Sequence, residues 1–196
     1  VLTPGVALSI LTTRIAGTLT DHFSPRLPTI LGLIFWALFT YAFSLTDLRV
    51  SMFVMMAITL LRGTGLGLSY TPAMTGAMLS LRPAYLGAAV GLLSFAFTLG
   101  GMFSIAILGT MLEHRELIHY ASYAASQDHA SFSTGATIDA LQSFFTSLGH
   151  ATAQARGLAV GVLKGIVGRE AVVSAFQDSF IFLSMSALVA VIPSFL

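Results

Sequence analysis

Five long stretches of this chain carry almost no charge: roughly 1–20, 28–46, 50–72, 86–112 and 172–196. About 20 mostly apolar residues in a helix cross roughly 30 Å of hydrocarbon, so each stretch has the length and chemistry of a membrane span. Composition agrees. Only 9% of the 196 residues are charged, which excludes a water-soluble globular domain, where about 25% is usual. A membrane β-barrel would alternate in segments of about ten residues, whereas these runs are continuous and longer. The links between the first four runs are short, so successive helices must be antiparallel neighbours. The reading is therefore an all-α membrane protein, a partial helical bundle with about five transmembrane helices. The chain opens at Val1, already inside an apolar stretch and without a basic leader, and is read as a fragment of a longer polypeptide.

Three parts follow from the distribution of charge. Residues 1–112 hold four spans, residues 113–171 form a polar insertion, and residues 172–196 are the last span. The insertion carries four of the nine basic residues, five of the eight acids and four of the five histidines. Within it, Ile138, Leu141, Phe144, Phe145 and Leu148 recur at helical spacing after Thr137, read as an N-cap, and before Gly149, read as a stop. A second helix over about 151–167 then leads through Gly168 into the last span. Arg14, Arg26 and Arg82 are assigned to one membrane side and Arg49 to the other; weighting short loops over long ones makes the first side cytoplasmic and the insertion extracytoplasmic.

Some functions are excluded directly. A net charge of +1 offers no basic footprint for nucleic acid. There is no cysteine, and no two histidines stand four apart, so no metal or cofactor site is expected. The H-E-x-x-H motif of an intramembrane metalloprotease is missing and every histidine falls in a polar segment, so the chain is not read as an enzyme.

Arg62 is the strongest physical signal. It falls near the middle of the third run, where a charge costs about 2.5–3.5 kcal/mol even on the lenient insertion scale. Runs two to four contain no acid to compensate it. Its guanidinium must therefore meet a watery cavity, helix carbonyls, a partner outside this chain or a substrate; otherwise the span is mis-centred and Arg62 snorkels to an interface. Gly63 and Gly67, and Gly87 and Gly91, stand four apart, the spacing that lets membrane helices approach closely, and Gly100 and Gly101 add to the same small-residue character. Tyr70, Phe95 and Phe97 are candidates for lining an apolar cavity. Asp178, beside Gln177 and Ser179, is either a solvated residue of the first turns of the last span or a proton carrier.

The first loop, Gly17-Thr18-Leu19-Thr20-Asp21-His22-Phe23-Ser24-Pro25-Arg26, resembles the G-x-L-x-D-[RK]-x-G-x-[RK] loop of the major facilitator superfamily, with His22 and Ser24 as departures. Further segments are similar to the last helices of its drug:proton antiporter-2 family, the fourteen-span multidrug efflux permeases. They are Arg62-Gly63-Thr64-Gly65-Leu66-Gly67 with Pro72, Gly87-Ala88-Ala89-Val90-Gly91, Thr98-Leu99-Gly100-Gly101, and Ala175-Phe176-Gln177-Asp178-Ser179-Phe180 after the polar insertion. Where that family often has Asn and Arg ahead of Leu-Gly-Gly, this chain has Ser94 and Phe97.

The resemblance implies the C-terminal part of a proton-coupled exporter of hydrophobic or amphipathic compounds in a bacterial inner membrane. It implies a gating role for Gly17, Asp21, Pro25 and Arg26, with Asp21 and Arg26 as latch charges, and places the coupling carboxylates in an N-terminal half outside this chain. It also implies, for Gram-negative members, a periplasmic adaptor and an outer-membrane channel as partners of the insertion. The alternative is a non-catalytic membrane scaffold or assembly subunit.

Overall fold

A computed structural model describes residues 3–22, 24–47, 50–79, 81–129 and 131–195; Arg49 and Phe23, used in the orientation and loop readings, lie outside them. Six helices make up the described chain: α1 (Thr3–His22), α2 (Arg26–Ser44), α3 (Met52–Leu79), α4 (Leu86–His129), α5 (Ser131–Ser147) and α6 (Thr152–Val191). Single 3₁₀ turns lie at Pro83–Tyr85 and Ile192–Phe195. The chain divides into two compact units, one of residues 1–108 with 177–196 and the other of residues 109–176.

Four helical segments are long and apolar enough to cross a membrane: Arg26–Ser44, Met52–Leu79, Pro83–Ala125 and Thr152–Ser194. That is one fewer than the sequence suggested. The difference is α1, a helix of 20 residues that is interrupted by Thr12, Thr13, Arg14, Thr18 and Thr20 and ends in Asp21 and His22. Arg14 belongs to this helix, exposed two turns before its end, and not to a loop.

In the first unit α3 is central. Its contacts with α2 and α1 far outnumber those between α1 and α2. Gly5 meets Thr59 and Gly63, and Thr12 meets Gly67, so α1 and α3 run parallel. Gly32 meets Ser69, Trp36 meets Gly65 and Pro25 meets Gly76, so α2 runs antiparallel to α3. The end of α6 lies antiparallel along α2: Gln177 donates to the Thr46 carbonyl (3.1 Å), Phe180 packs on Phe43 (4.5 Å between ring centroids) and Ser184 Oγ donates to the Ala37 carbonyl (3.1 Å).

Burial is inverted relative to a soluble bundle. Along α2 the buried positions include Pro28, Gly32, Thr40 and Ser44, while Leu31, Ile34, Leu38 and Tyr41, at helical spacing, are exposed. Elsewhere Thr12, Thr59, Ser179 and Ser184 are buried, and Phe53 and Ile105 stand 85% and 76% exposed. In water this arrangement would leave apolar surface hydrated and is opposed by the hydrophobic effect. In lipid, which is as apolar as leucine, helices associate through small residues and hydroxyls instead. Buried hydroxyls are satisfied within a helix, as when Thr40 Oγ1 donates to the Trp36 and Ala37 carbonyls, or across two, as when Ser184 Oγ donates to the Ala37 carbonyl.

In the second unit, Ala155, Ala159, Val167, Ala171 and Ala175 form a buried stripe on α6 in steps of four or eight residues. The Tyr123 and Ser174 hydroxyls share a 2.8 Å hydrogen bond. Helix α5 begins at Ser131, so Thr137 is an interior residue and not an N-cap. It ends at a Schellman turn: Gly149 adopts φ +95°, and the Gly149 and His150 amides donate to the Thr146 and Phe145 carbonyls. Gly168 does not break α6, which runs unbroken over 40 residues. Likewise α4 passes through residue 112 without interruption and reaches 44 residues, more than twice the ~20 that hydrocarbon requires.

Candidate functional site

Arg62 lies ten residues into the 28 residues of α3, about 15 Å from its start and well inside the helix. It is half-buried and lines a cleft of about 40 Å³ between α1 and α3, walled by Gly5, Val6 and Ser9 on one side and Thr59, Gly63 and Leu66 on the other. The cleft exists because both walls lack side chains where the helices touch. A Cβ on Gly5 would stand 2.6 Å from the Thr59 carbonyl oxygen, and one on Gly63 would collide with the Gly5 carbonyl. Thr12 Oγ1 lies 3.4 Å from the Gly63 carbonyl oxygen, one turn along the same seam. No acidic residue occurs on α2 or α3, and the one acid of α1, Asp21, is at its far end. The cleft therefore presents a cation among backbone carbonyls and hydroxyls at mid-helix depth, an arrangement suited to attracting an anionic or strongly dipolar group.

Gly67 faces Thr12 of α1 on this seam. Gly65, two residues from Gly63 and Gly67 and so on the other face, closes on Trp36 of α2, where a Cβ would stand 2.9 Å from the backbone nitrogen. Gly32 meets Leu68 and Ser69 on that side. Gly65 with Ser69, and Gly5 with Ser9, are small residues four apart that the sequence reading did not single out. The signal of Gly32 is an isolated glycine within an apolar run.

Gly87, Gly91, Gly100 and Gly101 are different. A Cβ on any of them meets nothing within 4 Å, so within this chain they are not packing positions. The apolar window of α4 contributes no buried residue. Gly17 likewise has open space around it. Tyr70 and Phe97 come together, with ring centroids 5.7 Å apart. Phe95, two residues from Phe97 on a helix, is on another face, and all three are at least half exposed.

Asp21 is exposed in the last turn of α1, and Arg26 is exposed as the first residue of α2, after Ser24 and Pro25. Both charges oppose the helix dipole at their own ends: an anion at a C-terminus and a cation at an N-terminus each lose about 0.3–1 kcal/mol. They are therefore not caps. Asp178 falls deep within α6, 26 residues after its start, and not in its first turns. It is half-buried and adjoins Gln177, whose amide also donates to Asp47 Oδ1 at 3.1 Å. This places Asp178 level with the α2–α3 link, at the end of the bundle. Of the two residues that tie α6 to α2, Gln177 was read in the sequence only as a neighbour of Asp178 and Ser184 was not singled out; the signal of each is a polar residue in an apolar span.

Among the described residues, no three of His, Cys, Asp and Glu gather in a way that could hold a metal ion. Comparison with protein-family models, with curated proteins and with solved structures found no match to this chain.

Proposed function

We propose that the chain is the C-terminal part of a proton-coupled multidrug efflux transporter of the major facilitator superfamily, exporting hydrophobic and amphipathic compounds by alternating access. One observation carries the reading. Arg62 sits at mid-helix depth in a glycine-walled cleft, with no carboxylate on the helix it belongs to or on α2. A charge held there costs free energy that a static scaffold has no reason to retain, whereas transporters place such groups on substrate and ion pathways. The order and spacing of the loop, glycine and last-span motifs support the family assignment. Asp21 and Arg26, each at the electrostatically unfavourable end of its helix, support a latch whose bonds are made to neighbouring helices and broken when bundles rock.

On this reading the remaining bundle of the same transporter supplies the coupling carboxylates and covers α4, and the insertion engages a periplasmic adaptor and, through it, an outer-membrane channel. The test is dye efflux by the complete transporter in cells stripped of their own pumps. Efflux should collapse with a protonophore, fall about tenfold or more in Arg62→Ala and recover in part in Arg62→Lys, as expected for loss and return of one desolvated charge contact. Protonophore-insensitive retention of dye in the parent protein, identical to empty cells, would leave the scaffold as the better reading.

A further inference from the structure

Arg62 is the one charged side chain on the cleft between α1 and α3, and the other lining groups define what it can meet. Ser9 Oγ donates to the Val6 carbonyl (2.7 Å) and Thr59 Oγ1 to the Met56 carbonyl (2.8 Å), so both hydroxyl hydrogens are turned to their own helices. Of the lining side chains, only Arg62 therefore brings hydrogen-bond donors to a ligand. The acids of the first unit are Asp21, Asp47 and Asp178. Asp21 is sixteen residues past Gly5 on α1, about 24 Å along the axis, and Asp47 precedes the start of α3, which is itself about 15 Å from Arg62. Asp178 is level with the link that carries Asp47, so none of the three stands beside the guanidinium. The cleft's volume of about 40 Å³ admits about three water-sized groups, which is the size of a carboxylate and not of a ring system. Beyond it the edges are apolar: Val6 and Ile10 on α1, and Leu66 and Tyr70 on α3, are exposed at successive turns.

We propose that the cleft seats the carboxylate of an amphipathic monocarboxylic acid, paired to Arg62, with the apolar body of the acid along the Val6–Ile10 and Leu66–Tyr70 edges. The planar guanidinium fork matches a carboxylate with two parallel hydrogen bonds. Charge sets the selectivity. A second negative charge would be desolvated with no cation to meet it, and a cationic head would be repelled. The acid is cargo only on the transporter reading, on which that step rests; binding is measured without transport, so the two fail separately.

The full chain in an uncharged detergent is dialysed against radiolabelled octanoate at about pH 8, where the carboxylate is ionised, with protein-free micelles as the blank. Saturable binding of one octanoate per chain is expected. Octanol, with a similar tail and no charge, and octylammonium, with the opposite charge, should displace it about tenfold less well or worse, the factor one charge-assisted contact supplies. Acetate should fall short by about the same factor, since two buried methylenes supply it. Arg62→Gln should weaken octanoate binding about tenfold or more. Val6→Phe, at an exposed position on the edge of the cleft, should weaken it with the charge intact, and Arg82→Gln, outside the cleft, should leave it within about twofold. Equal binding by the parent, Arg62→Gln and Val6→Phe proteins would overturn the proposal. So would displacement by acetate or by octanol at equal concentration, which would make the site one for a small anion or for any apolar tail. Saturable, Arg62-dependent binding without protonophore-sensitive octanoate efflux by the complete protein would uphold the site and count against the transporter reading.

Discussion

At the scale of single residues, the same amino acid does opposite things in this chain according to what lies one helix away. Gly63 and Gly91 have the same sequence signature, yet a Cβ on Gly63 would drive into the Gly5 carbonyl while one on Gly91 meets nothing. Gly63→Ala should therefore destabilise the bundle by about 1–3 kcal/mol, the usual cost of overpacking a tight contact. Gly91→Ala should be neutral, or stabilising by up to about 1 kcal/mol through helix propensity. Thermal unfolding of the two variants in one detergent decides the matter, and equal shifts would refute the placement of α3 against α1. Asp21 yields a second prediction. Because its charge opposes the α1 dipole, Asp21→Asn should leave the isolated chain as stable or stabilise it by about 0.3–1 kcal/mol. Under the proposed function, the same change in the complete protein should lower turnover more than substrate binding, and a pure binding defect would count against a latch.

Among the elements, α1 and α5 show how a helix can be legible in sequence while its setting is not. The apolar run 1–20 reads as a span, but Arg14 near the middle of α1 costs about 2.5–3.5 kcal/mol in lipid on the insertion scale, and α1 is absent from the helices apolar enough to cross alone. In a glycosylation-reporter assay α1 should insert poorly by itself and efficiently as Arg14→Leu; efficient insertion of the parent segment would show that a neighbouring helix is not needed. In α5 the stop at Gly149 was readable, since only glycine takes φ +95° cheaply. The start was not, because the apolar periodicity begins several residues after the helix does. Gly149→Ala should cost about 1–2 kcal/mol, seen as faster amide exchange over 131–147 with α1–α3 unchanged. Loss of protection in α2 or α3 as well would mean that the two units do not open independently.

For the molecule as a whole, the division into units falls within α4 and α6, near the point where the sequence turns polar. Removing residues 122–149 should leave membrane insertion intact, because the four apolar helical windows lie elsewhere or survive in part. Under the proposed function, efflux across both membranes by the complete protein should then fall, while transport in inverted inner-membrane vesicles should persist; unchanged efflux would remove the proposed adaptor role from the insertion.

Helicity, lipid-compatible spans, the polar insertion and the anomaly of Arg62 were all present in the one-dimensional pattern, because hydropathy and charge are local and additive along a chain. Which glycines touch a neighbour, that Tyr70 meets Phe97 without Phe95, that Gln177 and Ser184 hold α6 to α2, and that Arg62 lines a cleft against α1 were decided only by the packing of distant segments. The physical reason is the inverted burial: where the surrounding medium is as apolar as the side chains, hydrophobicity marks which helices enter lipid but not which faces meet. That choice is left to the fit of small residues and to hydrogen bonds between helices, which a linear pattern does not encode.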